Sequence, residues 1–293
     1  MDLLQLRYFI QVSATGNMTR AAQELHVAQS AISQSISRLE EQVGIRLFDR
    51  KGKSIHLNEY GRAFLPYAQG CLDTLADGCR LLDDMQKTAK GHVRFGVFAG
   101  SILLPELLKE FREKCPDISF ELVQHGSMAP YDLCLSYALD GTVPENAEVL
   151  LTEEIYLAVP IDHRLASRTQ VDLAEVANEN FISLSENKAL RVVTDRICEK
   201  AQFRPRIIYE SDDPASVRGL INAGMGVAFV PSVSWHALAS KSYVNLHISH
   251  PTFQRTLIIQ WDPQRYISNA VKAFREHVVS FFHEVTEKML SAK

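Results

Sequence analysis

Residues 19–48, TRAAQELHVAQSAISQSISRLEEQVGIRLF, decide the fold of the first part of this chain. The run reads as a short Ala-rich helix, a tight break and a longer helix, which is the order and length of a helix-turn-helix. In the longer helix Ile32, Ile36, Leu39 and Val43 recur as one apolar stripe. The opposite face carries Ser30, Ser33, Gln34, Ser37 and Arg38, with Gln29 at the amino end. These hydroxyls and amides are not the Lys/Glu mixture of an ordinary solvated face. Gln can bond an adenine edge in two places, and Ser can bond base edges or a phosphate, so the pattern suits a DNA major groove. Taken alone, the helix also fits a plain solvent face with accidental Ser enrichment.

The flanking residues extend the pattern on both sides. Upstream, Leu6, Phe9, Ile10 and Ser13 share a helical face, and Gly16 stops that helix by taking positive φ. Asn17 then caps the next helix. Ala21 and Ala22 let a neighbour approach closely, and Leu25 anchors the end. Downstream, RLFDRKGKSIHL at 46–57 reads as a hairpin with Gly52 at its turn. Arg46, Arg50, Lys51 and Lys53 are opposed there by Asp49 alone, so this wing would lay cations along a sugar-phosphate backbone. From Asn58, as cap, to about Met85 the pattern is helical again. Phe64, Ala68, Cys71, Leu75, Leu82 and Met85 are spaced for pairing with a partner helix. Pro66 should kink its first turns, and Gly78 should weaken it.

Beyond the polar joint KTAKGH at 87–92, strands and helices alternate: HVRFGVFA, SILLPELLKEFREK, ISFELVQH, and later NFISLS, KALRVVTDRICEKA, PRIIYES, DPASVRGLINAG, GVAFVP. Alternation of this kind implies α/β units. Two such units, joined by extended crossings near 149–160 and 255–262, imply a two-lobed clamp, with a last amphipathic helix at 268–290 returning to the first lobe. The fold class is therefore α/β overall. A mainly α winged helix-turn-helix (1–58) and a linker helix (59–86) precede the two-lobed half (87–293). Lobe I takes about 91–158 and 263–293, and lobe II about 159–262.

The whole chain narrows the function classes. At 293 residues it is long enough for two or three compact units. A net charge of −4 means that any nucleic-acid surface must be local. No apolar run reaches membrane-span length, and MDLLQLRYF lacks the marks of a signal peptide. Cys71, Cys79, Cys115, Cys134 and Cys198 are odd in number and lack metal spacing, so a reduced, cytoplasmic chain without a metal site is expected. Neither G-x-S-x-G nor G-x-x-x-x-G-K nor H-E-x-x-H is present, which argues against an enzyme.

The chain resembles the LysR-type transcriptional regulators. The residues that carry the likeness are LRYFIQVSATGNMTRAAQELHVAQSAISQSISRLEEQVGIRLFDR at 6–50, LNEYG at 57–61, GHVRFGV at 91–97, VPIDHRLA at 159–166 and NAGMGVAFVP at 222–231. The resemblance implies that Gln29, Ser30, Ser33 and Gln34 reach base edges. It implies that Thr19, Arg50, Lys51 and Lys53 bind phosphates or the minor groove. The family often has Pro at the position of Ser30 and a basic residue at that of Gln34, which bears on operator sequence rather than docking mode. It further implies antiparallel pairing of linker helices, a homo-oligomer (a dimer of dimers), duplex DNA as partner, and RNA polymerase as a further partner if the protein activates. The second half would be an effector domain of the periplasmic-binding-protein type. No cofactor is implied beyond a small effector.

Ligands of such folds sit at strand carboxyl ends, between lobes. That rule selects Gly100, Ser101 and Ile102 after the first sensor strand, Ser127 and Met128 after the second, and Ser185 and Phe203 in lobe II. Ser101 could instead merely cap its helix. Asp213-Pro214 reads as a helix cap, and His163 as a structural hydrogen-bonding group. The seven residues HGSMAPY between Gln124 and Asp132 are too few for the helix the family usually has there. Three other readings stay open: an enzyme or ligand carrier on the α/β half, a thiol-based redox sensor, for which Cys198 has no second cysteine near it, and a purely architectural DNA-binding protein.

Overall fold

Asp2 opens the chain's first helix with a reciprocal cap: its side chain accepts the Gln5 N–H, and the Gln5 side chain accepts the Asp2 N–H. In the computed structural model, which describes residues 1–51, 54–86, 91–124, 131–138, 142–186, 188–235 and 242–291, the chain divides into two compact units. One is built on the first 86 residues together with Gln264–Ser268, and the other on the rest.

In the first unit α1 (Leu3–Thr15) ends at Gly16, which holds φ 60°. Asn17 caps α2 (Met18–Glu24) by accepting the N–H groups of Thr19 and Arg20. A short turn through Leu25 and His26 leads to α3 (Gln29–Val43). Phe9, Val12, Ala21, Ala22, Ile32, Ile36 and Leu39 form the shared core. Val43 leaves the expected stripe. It is 37% exposed, because α3 ends at that residue and Gly44 turns the chain away. The wing follows as β1 (Phe48–Lys51) and β2 (Ser54–Leu57), antiparallel with Phe48 opposite Leu57. Glu40 positions its base, accepting the N–H groups of Leu47 at 2.7 Å and Phe48 at 3.2 Å.

Asn58 caps α4 (Glu59–Met85), accepting the Gly61 N–H and donating to the Arg46 carbonyl. The helix runs unbroken through Pro66 and Gly78. Its first half packs Leu65 and Ala68 into the core. Its second half presents Leu75, Leu81, Leu82 and Met85, the last two 58% and 71% exposed in the single chain.

The segment Gln264–Ser268, assigned to lobe I from the sequence, folds instead against α4. Arg265 grips the Asp77 carboxylate with Nε and Nη2 at 2.7 and 2.8 Å, and the Tyr266 N–H adds a third donor at 3.2 Å. The Tyr266 hydroxyl reaches Asp84 at 2.9 Å. Burial works to raise the Asp77 pKa, but the Arg265 and Tyr266 hydrogen bonds outweigh it and hold the carboxyl below its usual value. A lowered folded pKa means that the clasp is at full strength above pH ~4 and is lost as acid protonates Asp77. Asp77→Asn should therefore cost about 2 kcal/mol at pH 7 and flatten the acid limb of the stability curve below pH ~4. Thermal unfolding between pH 7 and 3 checks this; two parallel acid limbs would refute it.

In the second unit β3 (Gly91–Val97) lies between β4 (Ile118–Val123) and β5 (Leu133–Ala138), parallel to both. The helix α5 (Leu104–Lys114) makes the first crossover. The long strand β6 (Ala147–Pro160) pairs through Glu154 with β12 (Gln254–Gln260). From Ile155 onward it is flanked by β10 (Ala228–Pro231) and β11 (Tyr243–His250). One strand thus serves both lobes. β11 also carries the short parallel strand β7 (Gln170–Asp172). Lobe II adds the parallel pair β8 (Asn180–Leu184) and β9 (Arg206–Ser211), with α6 (Ala189–Lys200) and α7 (Pro214–Asn222). The last helix, α8 (Asn269–Ser291), returns to lobe I, where Phe274 meets Phe95, Phe111 and Phe120 edge-on.

Candidate nucleic-acid interface and effector site

The stripe Ile32, Ile36 and Leu39 fixes the roll of α3, and this leaves its other face outward. Gln29, Ser30 and Gln34 are exposed and Ser33 half-buried, so all four sequence-selected residues lie on one accessible surface. Ala28 precedes the helix without a side-chain cap, so the first N–H groups keep the anion-binding character of a helix start. Thr19 is exposed at the start of α2. For Arg50 and Lys51 the structure describes the backbone, in β1. Lys53 lies outside the described residues, as do Ser127 and Met128 and most of the short 125–131 connection.

β3 lies between the parallel strands β4 and β5, and β8 lies between β9 and a parallel bridge from Phe181 to Val227, so from each of the two the chain leaves to one side and returns on the other. The carboxyl ends of β3 and β8 are thus topological switch points, where such sheets bind ligands. Gly100, Ser101 and Ile102 follow β3 directly, with Gly100 buried and the other two half-buried. Ser101 is not the cap of α5. Leu103 holds that position without a side-chain bond, so the helix starts later than the sequence suggests. Ser185 follows β8, and its N–H donates to the Ser211 carbonyl at 2.9 Å.

Phe203 does not join this group. It leads into the amino end of β9, whereas Ser185 leaves the carboxyl end of the parallel strand β8. The two ends are separated by roughly 16 Å of strand. Phe203 packs instead against Phe181, ring centroids 6.1 Å apart, in the lobe II core. The residues at the carboxyl end of β9 are Ser211, Asp212 and Asp213, of which the sequence analysis singled out Asp213 alone, as a helix cap. Asp213 caps α7, accepting the N–H groups of Ala215 and Ser216. His163 accepts the Leu165 N–H and pairs with Glu179 at 3.3 Å, a structural role.

Cys198 and Cys134 are buried, and burial pushes each thiol up to about 12. Thiols held protonated in this way are poor nucleophiles, which weighs against redox sensing at these positions. Among the described residues no group of His, Cys, Asp and Glu could hold a metal ion, and no helix is long and apolar enough to cross a membrane.

A winged helix-turn-helix joined by a long helix to a two-lobed α/β unit defines a class of bacterial regulator, and the comparisons identify it. The family model described as LysR substrate binding domain matches residues 86–282, and that of the bacterial regulatory helix-turn-helix protein, lysR family, matches residues 3–62. The chain belongs to the LysR family of transcriptional regulators, with a DNA-binding helix-turn-helix and an effector-binding domain. It is 34% identical to the HTH-type transcriptional regulator YybE of Bacillus subtilis, over 97% of this chain and all of that protein. To the transcriptional dual regulator GltC of the same organism it is 32% identical, over 98% of this chain and 99% of that one. Full-length CbnR complexed with its target DNA has the same fold, with a TM-score of 0.61 at 23% identity, covering 95% of this chain and 99% of that one. The effector-binding domain of QuiR in complex with shikimate gives a TM-score of 0.53 at 23% identity, covering 67% of this chain and 98% of that one.

Proposed function

We propose that this regulator reads duplex DNA as a homo-oligomer, a dimer of dimers, with α3 in the major groove and the wing on the backbone. The observation that carries the reading is the outward Ser/Gln face of α3 beside a basic hairpin. Gln29, Ser30, Ser33 and Gln34 contact base edges. Thr19, Arg50, Lys51 and Lys53 contact phosphates or the minor groove. The exposed apolar residues on the second half of α4 suit pairing with the same helix of a second copy, which would set two recognition helices about 34–36 Å apart on a pseudo-palindrome. A small effector bound near Gly100, Ser101, Ile102 and Ser185, with Ser127 and Met128, biases the lobes between two arrangements. Its leverage equals its differential affinity for the two, typically ~1–3 kcal/mol. The protein acts by binding rather than turnover, in the cytoplasm, and meets RNA polymerase where it activates.

Genome-wide mapping of bound DNA supplies the operator for a fluorescence-anisotropy test. Ser33→Ala or Gln34→Ala should relax sequence preference by ~1–3 kcal/mol per lost base contact. Lys53→Ala should weaken binding to all sequences and flatten the salt slope by about one charge. Equal losses on operator and random DNA for the α3 variants would overturn the base-reading role.

A further inference from the structure

The helices α2 and α3 touch at their amino ends through a sulfur. Met18 is the first residue of α2, and Gln29 is the first residue of α3. The Gln29 Nε2 donates to the Met18 Sδ at 3.9 Å. The two partners differ in freedom. Asn17 fixes the Met18 backbone by capping α2 through the Thr19 and Arg20 N–H groups, and the Met18 side chain is half-buried against the core of the first unit. Gln29 is exposed, and Ala28 before it supplies no side-chain cap.

A carboxamide reads a base only if its nitrogen and oxygen ends point the right way. The last torsion of an exposed Gln is broad and roughly two-fold, so the two ends exchange places freely. A thioether carries no proton and accepts only from the nitrogen end. The contact therefore selects one of the two flips. It engages one Nε2 proton and leaves the other beside Oε1, a donor next to an acceptor. In the major groove adenine offers the complement, an N7 acceptor next to the N6 donor, whereas guanine offers two acceptors and cytosine a donor alone.

We propose that Met18 is a positioning residue for base reading, its sulfur holding the Gln29 carboxamide in the flip that fits an adenine edge. The assignment rests on the base-reading role of Gln29 proposed above and names the base it reads. Met18 itself touches no base. It acts by ordering the Gln29 side chain before DNA arrives, so that less freedom is lost on binding. Leucine fills similar space without an acceptor, and glutamine returns an acceptor at similar reach.

A double-variant cycle on the full-length protein tests this, by fluorescence anisotropy on the mapped operator with each base pair substituted in turn. Gln29→Ala marks the position that Gln29 reads, which is expected to be an A·T pair. Met18→Leu should reduce the preference for A·T at that position about three- to tenfold, the worth of one pre-ordered side chain. Preferences elsewhere, the salt slope and the thermal midpoint should stay close to those of the parent. Adding Met18→Leu to Gln29→Ala should change nothing further, and Met18→Gln should retain the preference. An unchanged preference in Met18→Leu, an equal loss in the Gln29→Ala background, a loss in Met18→Gln as large as in Met18→Leu, or a G·C pair at the marked position would each overturn the proposal while leaving Gln29 a base reader. Relaxation of no position by Gln29→Ala would overturn the base-reading role of Gln29 as well, which tells the two failures apart.

Discussion

Arg255→Met should destabilise the second unit by about 3–5 kcal/mol, because it strands the Glu153 carboxylate inside the protein. Glu153 on β6 and Arg255 on β12 are 2% and 4% exposed. One Glu153 oxygen takes Arg255 Nε at 3.0 Å, Arg255 Nη2, and the Ser234 hydroxyl at 2.9 Å. The other takes the N–H groups of Val233 and Ser234 at 2.9 and 2.8 Å. The pair sits where β6 passes from its partnership with β12 to its partnership with β10 and β11, so it ties both crossing strands to the turn after β10. Desolvating two charges is expensive, which makes the intact pair a poor source of net stability and the half-removed pair a large liability. Glu153→Gln/Arg255→Met should therefore recover most of the loss, since the amide oxygen still accepts the two backbone N–H groups and no charge is buried. Urea unfolding of the single and double variants measures both effects. A single-variant cost under about 1 kcal/mol would show that water reaches the pair.

That pair could not be foreseen from the sequence. Glu153 and Arg255 are 102 positions apart, and each sits in a strand whose pattern gives no sign of a buried charge. What could be read was local. Periodicity and caps located α1 to α4, because Ile32, Ile36 and Leu39 repeat on one face and Gly16, Asn17 and Asn58 are end signals with a mechanism. The limit showed at Val43, where the stripe continues in sequence past the point at which the neighbouring helices stop covering it. The α3 face was legible because one helix supplies it. The effector residues come from several strands, and their selection depends on knowing which end of each strand points where. Ser185 leaves the carboxyl end of β8, whereas Phe203 leads into the amino end of the parallel strand β9. The clasp of Arg265 and Tyr266 on Asp77 and Asp84 was hidden as well: the residues are remote in sequence and ordinary in type.

The second large effect is expected at Gly61, in the first turn of α4. A Cβ there would stand 2.1 Å from the Leu47 carbonyl oxygen and 2.6 Å from a Leu57 methyl. The methyl can rotate away, but the carbonyl is backbone. It is also held, because it accepts the Asn58 N–H at 3.1 Å, while Asn58 accepts the Gly61 N–H at 2.9 Å. Gly61→Ala must therefore push the chain at 46–47 off the start of α4, and the Asn58 cap goes with it. Overpacking against fixed backbone costs more than the ~1–3 kcal/mol of a yielding core, so a loss of about 3 kcal/mol or more is expected in the first unit. Helix propensity acts in the opposite direction, since Ala exceeds Gly by ~1 kcal/mol inside a helix. The sign of the measured change therefore decides which effect governs. Because Leu47 and Phe48 enter the wing, the variant should also lose salt-sensitive DNA affinity while the second unit keeps its own unfolding transition. A thermal midpoint at or above that of the parent would mean that α4 does not press on the base of the wing, and the wing's orientation beside α3 would then need another cause.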